Sequence, residues 1–270
     1  MDLEEYRLAV KGMKASKRLG QSFLMDEAVA KAEAEYARNR TVIEMGAGMG
    51  VLTNELCKVA KKVIAVEYDQ RLFEFLGENL ESKNLELLNC DFFELKGKKL
   101  EGADIMISNI PYNLSSKVLA WLGGRSMPAV LCLQKEFVDH MLANSGTKSY
   151  SRLSVSSRLS FQMHRLMSVS PDKFYPQPRV TSEIVYLRPT GKKINRSESE
   201  MINLLMMHKK KKLRNAVIDS AHALGLDKSR ASEIAEAMEN SALRPFQMEP
   251  EMILSAARQL KKLIKNKKSE

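Results

Sequence analysis

Along the first two thirds of the chain, short apolar runs alternate with stretches whose apolar residues recur every three or four positions. The runs are "TVIEM" (41–45), "KVIAVE" (62–67), "LELLNC" (85–90), "ADIMIS" (103–108) and "AVLCLQ" (129–134), and "EIVYLRP" (183–189) reads as one more. They are rich in Val, Ile and Leu and mostly lack a polar face, as expected of strands covered on both sides. Between them, "VLTNELCKVA" (51–60) and "RLFEFLGENLES" (71–82) have helical spacing. This alternation predicts an α/β fold, a doubly wound and mostly parallel sheet with right-handed crossovers. After Pro189, Gly191 and two lysines the pattern changes. The stretches 197–224, 227–239 and 249–266 read as three helices, each opened by a capping-type Ser, Asp or Glu. Two parts are therefore expected: an α/β domain over 1–189 and a small C-terminal all-helical domain over 190–270.

Composition adds little to this picture and charge adds more. With 44% hydrophobic and 28% charged residues among 270, the chain has the make-up of an ordinary globular protein. Cys57, Cys90 and Cys132 are odd in number and lie in apolar surroundings, which suits reduced core thiols. His140, His164, His208 and His222 have no metal-ligand spacing, so no metal is expected. No apolar run approaches the roughly 18 residues of a membrane helix, and the start "MDLEEYRLAV" is acidic where a signal peptide would be basic. A cytoplasmic monomer with no membrane partner is the expectation. The net charge of +10 is uneven, with 17 Lys and Arg against 10 Asp and Glu in residues 190–270. Such an excess fits either a solvated surface or the footprint of a polyanion.

The candidate chemistry sits where the predicted strands end. "TVIEMGAGMGVLT" is a strand running into a turn with Gly46, Gly48 and Gly50, followed by a helix. Glycines there let the backbone approach a ligand and aim the first helical N–H groups at it, although a tight strand-to-helix turn needs the same residues. Glu67 ends the next strand, where a carboxylate can accept from both hydroxyls of a ribose. The spacing is G-x-G-x-G with Glu44 just before it, not the G-x-G-x-x-G of pyrophosphate binders. Asp91, at the end of the third strand, can accept from an adenine amine while Phe92 packs near the ring; an ordinary helix N-cap is the other reading. Jointly these residues point to an adenosine-bearing cofactor without a pyrophosphate.

"ISNIPYN" (107–113) ends the fourth strand on the same edge. The N6 amine of adenine is a poor nucleophile because its lone pair is delocalised into the ring. If the Asn109 side-chain oxygen and the Ile110 carbonyl each accept one N–H, the lone pair turns out of conjugation toward an electrophile. Pro111 restrains the turn and Tyr112 offers a face for stacking. This is catalysis by orientation, with no general base needed beforehand. A polar strand end beside a buried tyrosine is the bland alternative. Phe174 in "DKFYPQPRV" (172–180), stiffened by Pro176 and Pro178, can supply a second aromatic wall or be an ordinary core residue.

With those residues in hand, the sequence resembles the ribosomal RNA adenine dimethyltransferases that modify small-subunit rRNA. The resemblance rests on "LGQSFL", "EMGAGMGVLT", "VIAVEYD", "CDFF", "SNIPYNLSS", "LQKEF", "YSRLSV", "FYPQPRVTS" and "KKKKLRNAV", in that order along nearly the whole chain. It implies a Rossmann-like class I methyltransferase fold in which residues 1–189 bind S-adenosylmethionine, and a role in ribosome biogenesis. Two adjacent adenosines of the 3′-terminal rRNA hairpin would each receive two methyls at N6. The resemblance implies cofactor contacts at Gln21, Ser22, Leu24, Gly46, Gly48, Glu67, Asp91 and Asn109, with Tyr68 and Phe92 beside them, and the target base between Tyr112 and Phe174. Three positions depart from the family pattern: Ser22 where His or Asn is usual, His140 for a common Arg, and Ser151 for a common Gly.

"HKKKKLRNAV" would place Lys209, Lys210, Lys211, Lys212 and Arg214 on a helix whose other side carries Leu204, Leu205, Leu213 and Val217. These cations would hold RNA phosphates without reading sequence, and Lys11, Lys14, Lys17 and Arg18 in the lead-in would extend the surface; a solvated helix face is the alternative. Two rival functions share the fold: an adenine-N6 methyltransferase acting on large-subunit rRNA or DNA, and a non-catalytic ribosome-assembly or transcription factor. Intact Glu67, Asp91, Asn109 and Tyr112 argue against the second. The residues leave open whether one or two methyls are added, because after one transfer a single N–H remains for two acceptors.

Overall fold

In the computed structural model, which describes Gly12, Ala15, Ser16, residues 18–95, Leu100 and residues 102–266, the apolar runs pair side by side. The chain enters through a two-residue strand β1 (Phe23–Leu24) and a helix α1 (Glu27–Ala34), capped by Asp26, whose carboxylate accepts from Val29 N at 3.1 Å. Strands and helices then alternate: β2 (Thr41–Met45), α2 (Val51–Val59), β3 (Lys62–Glu67), α3 (Gln70–Asn79), β4 (Leu85–Asn89), β5 (Ile105–Ser108), α4 (Ser115–Gly123) and β6 (Ala129–Gln134). Next come α5 (Lys135–Leu142), α6 (Arg152–Ser160), β7 (Phe161–Val169), the short β8 (Phe174–Tyr175) and β9 (Ser182–Pro189). The main sheet runs β4-β3-β2-β5-β6-β9-β7, with β2 through β6 parallel and β9 antiparallel to β6.

This is the doubly wound sheet the pattern predicts, and its register explains the near-continuous apolar runs. Ile43 pairs with Ile64 on one side and Met106 on the other, and all three are buried. Helices cover both faces, so either direction a side chain takes leads into a core. Fully burying each such residue contributes about 1.5–3 kcal/mol, which makes these strands costly to expose. The turn into α2 depends on Gly50, which has a φ of +91° and whose missing Cβ would stand 2.5 Å from Leu76 Cδ2. Strand β7 has no counterpart among the predicted strands. It lies at the sheet edge, buried mainly at its ends, so "FQMHRLMSV" shows neither an apolar run nor regular alternation.

The chain forms two compact units, and their division differs from a single cut after residue 189. One unit holds the chain up to Val138 together with residues 163–189; the other holds residues 139–162 as well as those after 189. The segment 139–162 belongs with the helices because Tyr150, Val155 and Leu159 are buried in one core with Ile202, Leu205, Ile234, Ile253 and Leu260. The Tyr150 hydroxyl also donates to the Met248 carbonyl at 2.8 Å.

Helices α7 (Arg196–Met207), α8 (Leu213–Asp219), α9 (Lys228–Glu236) and α10 (Pro250–Asn266) complete that unit. Helix α7 opens in a capping box: Asn195 Oδ1 accepts from Glu198 N at 3.0 Å, and Glu198 Oε2 accepts from Asn195 N at 2.9 Å. The stretch 197–224, expected as one helix, is broken after Met207. The N–H groups of Leu213 and Arg214 donate to the Leu243 and Ser241 carbonyls at 2.7 and 3.0 Å, and Phe246 N donates to the Lys209 carbonyl at 2.9 Å. These bonds to residues far along the chain satisfy the broken helix ends.

Candidate active site

Four adjacent parallel strands, β4-β3-β2-β5, bring their carboxyl ends to one edge. The strand order reverses between β2 and β5, the switch point at which open α/β sheets bind ligands. A cavity of about 250 Å³ opens there. Gln21, Ser22, Gly46, Gly48, Glu67, Tyr68, Asp91, Phe92, Asn109, Ile110, Pro111, Tyr112 and Phe174 all line it, and so does Arg18, expected with the RNA-binding cations. Of the residues expected at the site, Leu24 alone is absent from this lining: it is buried and pairs with Phe174 across β1 and β8.

The glycine turn and Glu67 are built as one piece. Glu67 Oε2 accepts from Gly48 N at 2.8 Å and Oε1 from Asp69 N at 2.7 Å. Burial pushes the Glu67 carboxyl up in pKa, and the two backbone N–H groups pull it back. Gly48 has a φ of +60°, and a Cβ there would meet the Phe23 ring at 3.2 Å. The glycine is thus required by the left-handed backbone and by close packing against Phe23. Behind it, Glu44 is fully buried, accepts from Thr53 Oγ1 at 2.7 Å and is pushed up to about 8 by desolvation. Asp91 does cap a short helical turn, since its Oδ1 accepts from Phe93 N at 2.8 Å, and it lines the cavity as well. Phe92 is buried against Trp121, with ring centroids 4.9 Å apart, whereas Tyr68 is 59% exposed at the cavity mouth.

Gln21 and Ser22 hold the cavity wall together. Gln21 accepts from Ser16 N at 2.7 Å and donates to Asp69 Oδ2 at 3.0 Å. Asp69, held also by Arg71, has its carboxyl lowered to about 2. The Ser22 hydroxyl donates to the Pro176 carbonyl at 2.8 Å, beside the β1–β8 pairing of Phe23 with Tyr175 and Leu24 with Phe174. The "LGQSFL" and "FYPQP" stretches are therefore strand partners. Phe174 combines the two roles the sequence leaves open: it is only 5% exposed and part of the core, and it lines the cavity.

Asn109 follows β5 and carries the most telling contacts. Its Nδ2 donates to Glu33 Oε2 at 3.1 Å, while its carbonyl oxygen is buried without a hydrogen-bond partner. Ser108 anchors the strand end by donating to the Met45 carbonyl at 2.6 Å. The Tyr112 hydroxyl and Ser182 Oγ are 2.6 Å apart, and burial raises the phenol to about 12, so it stays neutral. Glu33 escapes the sequence reading because "EAVAKAEA" looks like a solvated helix. The signal was present: Val29, Ala30, Glu33 and Ala34 form one buried stripe, and an acid within such a stripe is anomalous. Glu33 itself stands behind the cavity wall, whereas Lys117 lines the cavity and was not foreseen; its ammonium sits 3.7 Å from the centre of the Phe93 ring.

The basic residues are placed differently from expectation. Lys209, Lys210, Lys211 and Lys212 lie in the connection between α7 and α8, not on a helix face, for the reasons given above; Arg214 is on α8. Lys209 donates to the Tyr150 carbonyl and Lys211 pairs with Asp219 at 2.6 Å. Lys210, Lys212 and Arg214 border a surface cleft with Arg244. Lys11, Lys14 and Lys17 lie outside the described residues.

The sheet topology and the strand-end cavity define a class I, Rossmann-like methyltransferase. The family model for ribosomal RNA adenine dimethylases matches residues 12–254, and the chain belongs to that family. It is 35% identical over 253 residues to a probable ribosomal RNA small subunit methyltransferase A of Methanococcus maripaludis, covering 89% of this chain and 94% of that one. The protein of the same description from Methanopyrus kandleri is 36% identical over 258 residues, covering 91% and 92%. Among solved structures, a dimethyladenosine transferase from Plasmodium falciparum superposes with a TM-score of 0.76 at 25% identity, covering 89% of this chain and 98% of that one. The 23S rRNA methyltransferase ErmE shares the fold, with a TM-score of 0.57 at 24% identity over 88% and 99% of the two chains. The chain is thus an rRNA adenine dimethyltransferase of a family that uses S-adenosylmethionine. The site suits that cofactor: bare backbone lining the cavity at Gly46 and Gly48, a carboxylate fixed by backbone N–H groups at Glu67, and an unpartnered buried acceptor at Asn109.

Proposed function

We propose that this enzyme transfers methyl groups from S-adenosylmethionine to N6 of two adjacent adenosines in the 3′-terminal hairpin of small-subunit rRNA, acting in small-subunit biogenesis as a cytoplasmic monomer without a metal. The observation that carries the reading is the Asn109 side chain, with its nitrogen tied to Glu33 and its oxygen buried and unpartnered at the cavity. A buried acceptor without a donor is destabilising by about 1–3 kcal/mol, and the amine of a flipped-out adenine supplies the donor it lacks. Asn109 and the Ile110 carbonyl orient the amine, and Tyr112 and Phe174 flank the base. Gly46, Gly48, Glu67 and Asp91 hold the cofactor, with Tyr68 and Phe92 beside it and Gln21 and Ser22 bracing the wall. S-adenosylmethionine, when bound, supplies the electrophilic methyl group. The names of the 35–36% identical relatives favour small-subunit rRNA over large-subunit rRNA or DNA.

Incubation with small subunits lacking these methyls, large subunits and naked DNA, followed by mass spectrometry, tests the reading. Two methyls on each of two adjacent adenosines of small-subunit rRNA are expected, with the other substrates unchanged. Transfer to large subunits or DNA alone would overturn it.

RNA phosphates are held by the cleft around Lys210, Lys212, Arg214 and Arg244. No ion pair is formed by Lys210, Lys212 or Arg214 among the described residues, whereas Lys211 is paired with Asp219. Changing Lys210 and Lys212 together to Glu should weaken RNA binding. It should also flatten the slope of log Kd against log salt by about 1.5, the loss of two phosphate contacts. An unaltered slope in a filter-binding titration would return the run to a merely solvated turn.

A further inference from the structure

Glu33 is an acid in the wrong place for stability. It is 1% exposed, on the apolar stripe of α1, and only one of its oxygens is used: Oε2 accepts from Asn109 Nδ2 at 3.1 Å, while Oε1 is buried with no partner. Burial pushes its carboxyl up to about 8, helped by repulsion from Glu44, and no cation among the described residues offsets the cost. Cys132, a cavity-lining residue on β6, feels the same group: burial chiefly, then Glu33, raises its thiol. A buried acid so poorly compensated is ordinarily replaced by an apolar residue at no loss. Its one specific act is to hold Asn109.

We propose that Glu33 is a positioning residue for methyl transfer, fixing the Asn109 amide with its nitrogen turned away from the target and its oxygen left for the adenine amine. A side-chain amide can rotate by half a turn and exchange its donor and acceptor ends at almost no steric cost. Only one orientation is productive here, because the –NH₂ end of Asn109 would face the –NH₂ of adenine as donor against donor. Asn109 cannot select the right end by itself. An acceptor placed behind it does so, and Glu33 Oε2 is that acceptor. The inference rests on the acceptor role given to Asn109 above.

Glu33→Met keeps the side-chain length and removes the acceptor. Its kcat on unmethylated small subunits should fall about 10- to 100-fold, with KM for S-adenosylmethionine and for subunits within about three-fold of wild type. Its Tm should be no lower than that of wild type, because a buried acid has been exchanged for an apolar group. Glu33→Gln, which retains an acceptor oxygen, should recover kcat to within about five-fold. Unchanged kcat in Glu33→Met while Asn109→Ala is inactive would overturn the inference and leave the acceptor reading standing. Loss of Tm and kcat together with no rescue by Gln would also overturn it, making Glu33 a structural residue. Full activity of Asn109→Ala would instead remove the acceptor reading itself. An independent measurement needs no variant at position 33: in wild type the Asn109 side-chain amide protons, assigned by their absence from the Asn109→Ala spectrum, should exchange slowly with deuterium. Rapid exchange would overturn the proposal.

Discussion

Asn109→Ala should transfer methyl groups about 10³-fold more slowly than wild type while binding S-adenosylmethionine within a few-fold. Removing one preorganised hydrogen-bonding group from a reacting centre typically lowers kcat by about 10²–10³. In the proposed mechanism the group also sets the orientation of the nucleophile, because an adenine amine left flat keeps its lone pair in the ring. The variant should fold, since alanine deletes an oxygen that has no hydrogen-bond partner. It leaves Glu33 wholly unpartnered, a group already pushed up to about 8, which at neutral pH persists as the uncharged acid. Single-turnover kinetics on small subunits, with calorimetry for cofactor affinity, separate the two quantities. A rate within ten-fold of wild type would exclude Asn109 from orienting the amine.

The strand ends were legible because each carries a residue that a strand alone does not need. Glycines at 46, 48 and 50, an acid at 67, an acid at 91 and "SNIPY" at 108–112 mark four successive carboxyl ends, and parallel pairing brings them to one edge. Topology did the assembling, and alternation of strands and helices is enough to read topology. What escaped was whatever depends on contacts distant in sequence. Glu33 meets Asn109 across 76 positions, so only its place in the apolar stripe of α1 hinted at it. The lysine run has helical neighbours on both sides, yet the Ser241 and Leu243 carbonyls fix it as a turn. Segment 139–162 joins the helical unit through Tyr150, Val155 and Leu159, residues whose local pattern says they are buried but not in which core.

The same distinction explains the departure at position 22. A family-typical His or Asn there would be judged, from sequence, by its value as a cofactor contact. In this fold the Ser22 hydroxyl stitches β1 to the Pro176 carbonyl, and Gln21 stitches the preceding loop to Asp69. Both residues shape the wall through bonds to the protein, so a small hydroxyl suffices where the partner is a carbonyl 2.8 Å away.

Glu67→Ala should raise the Kd for S-adenosylmethionine about 100-fold, with kcat at saturating cofactor within about ten-fold of wild type. The size follows from the two charge-assisted bonds to ribose hydroxyls proposed for Glu67, each contributing about 1.5–3 kcal/mol, of which about 3 kcal/mol in total corresponds to two orders of magnitude in Kd. The effect is compounded because Glu67 also orders the glycine turn. Its two oxygens hold Gly48 N and Asp69 N at 2.8 and 2.7 Å, and alanine leaves both N–H groups without that acceptor. Glu67→Gln distinguishes charge from shape. A glutamine has one acceptor oxygen, so its –NH₂ end must face either Gly48 N–H or Asp69 N–H, donor against donor, and recovery should be only partial. Calorimetry on the two variants measures this directly. Wild-type affinity in Glu67→Ala would mean that the ribose is held elsewhere and that Glu67 serves the turn alone.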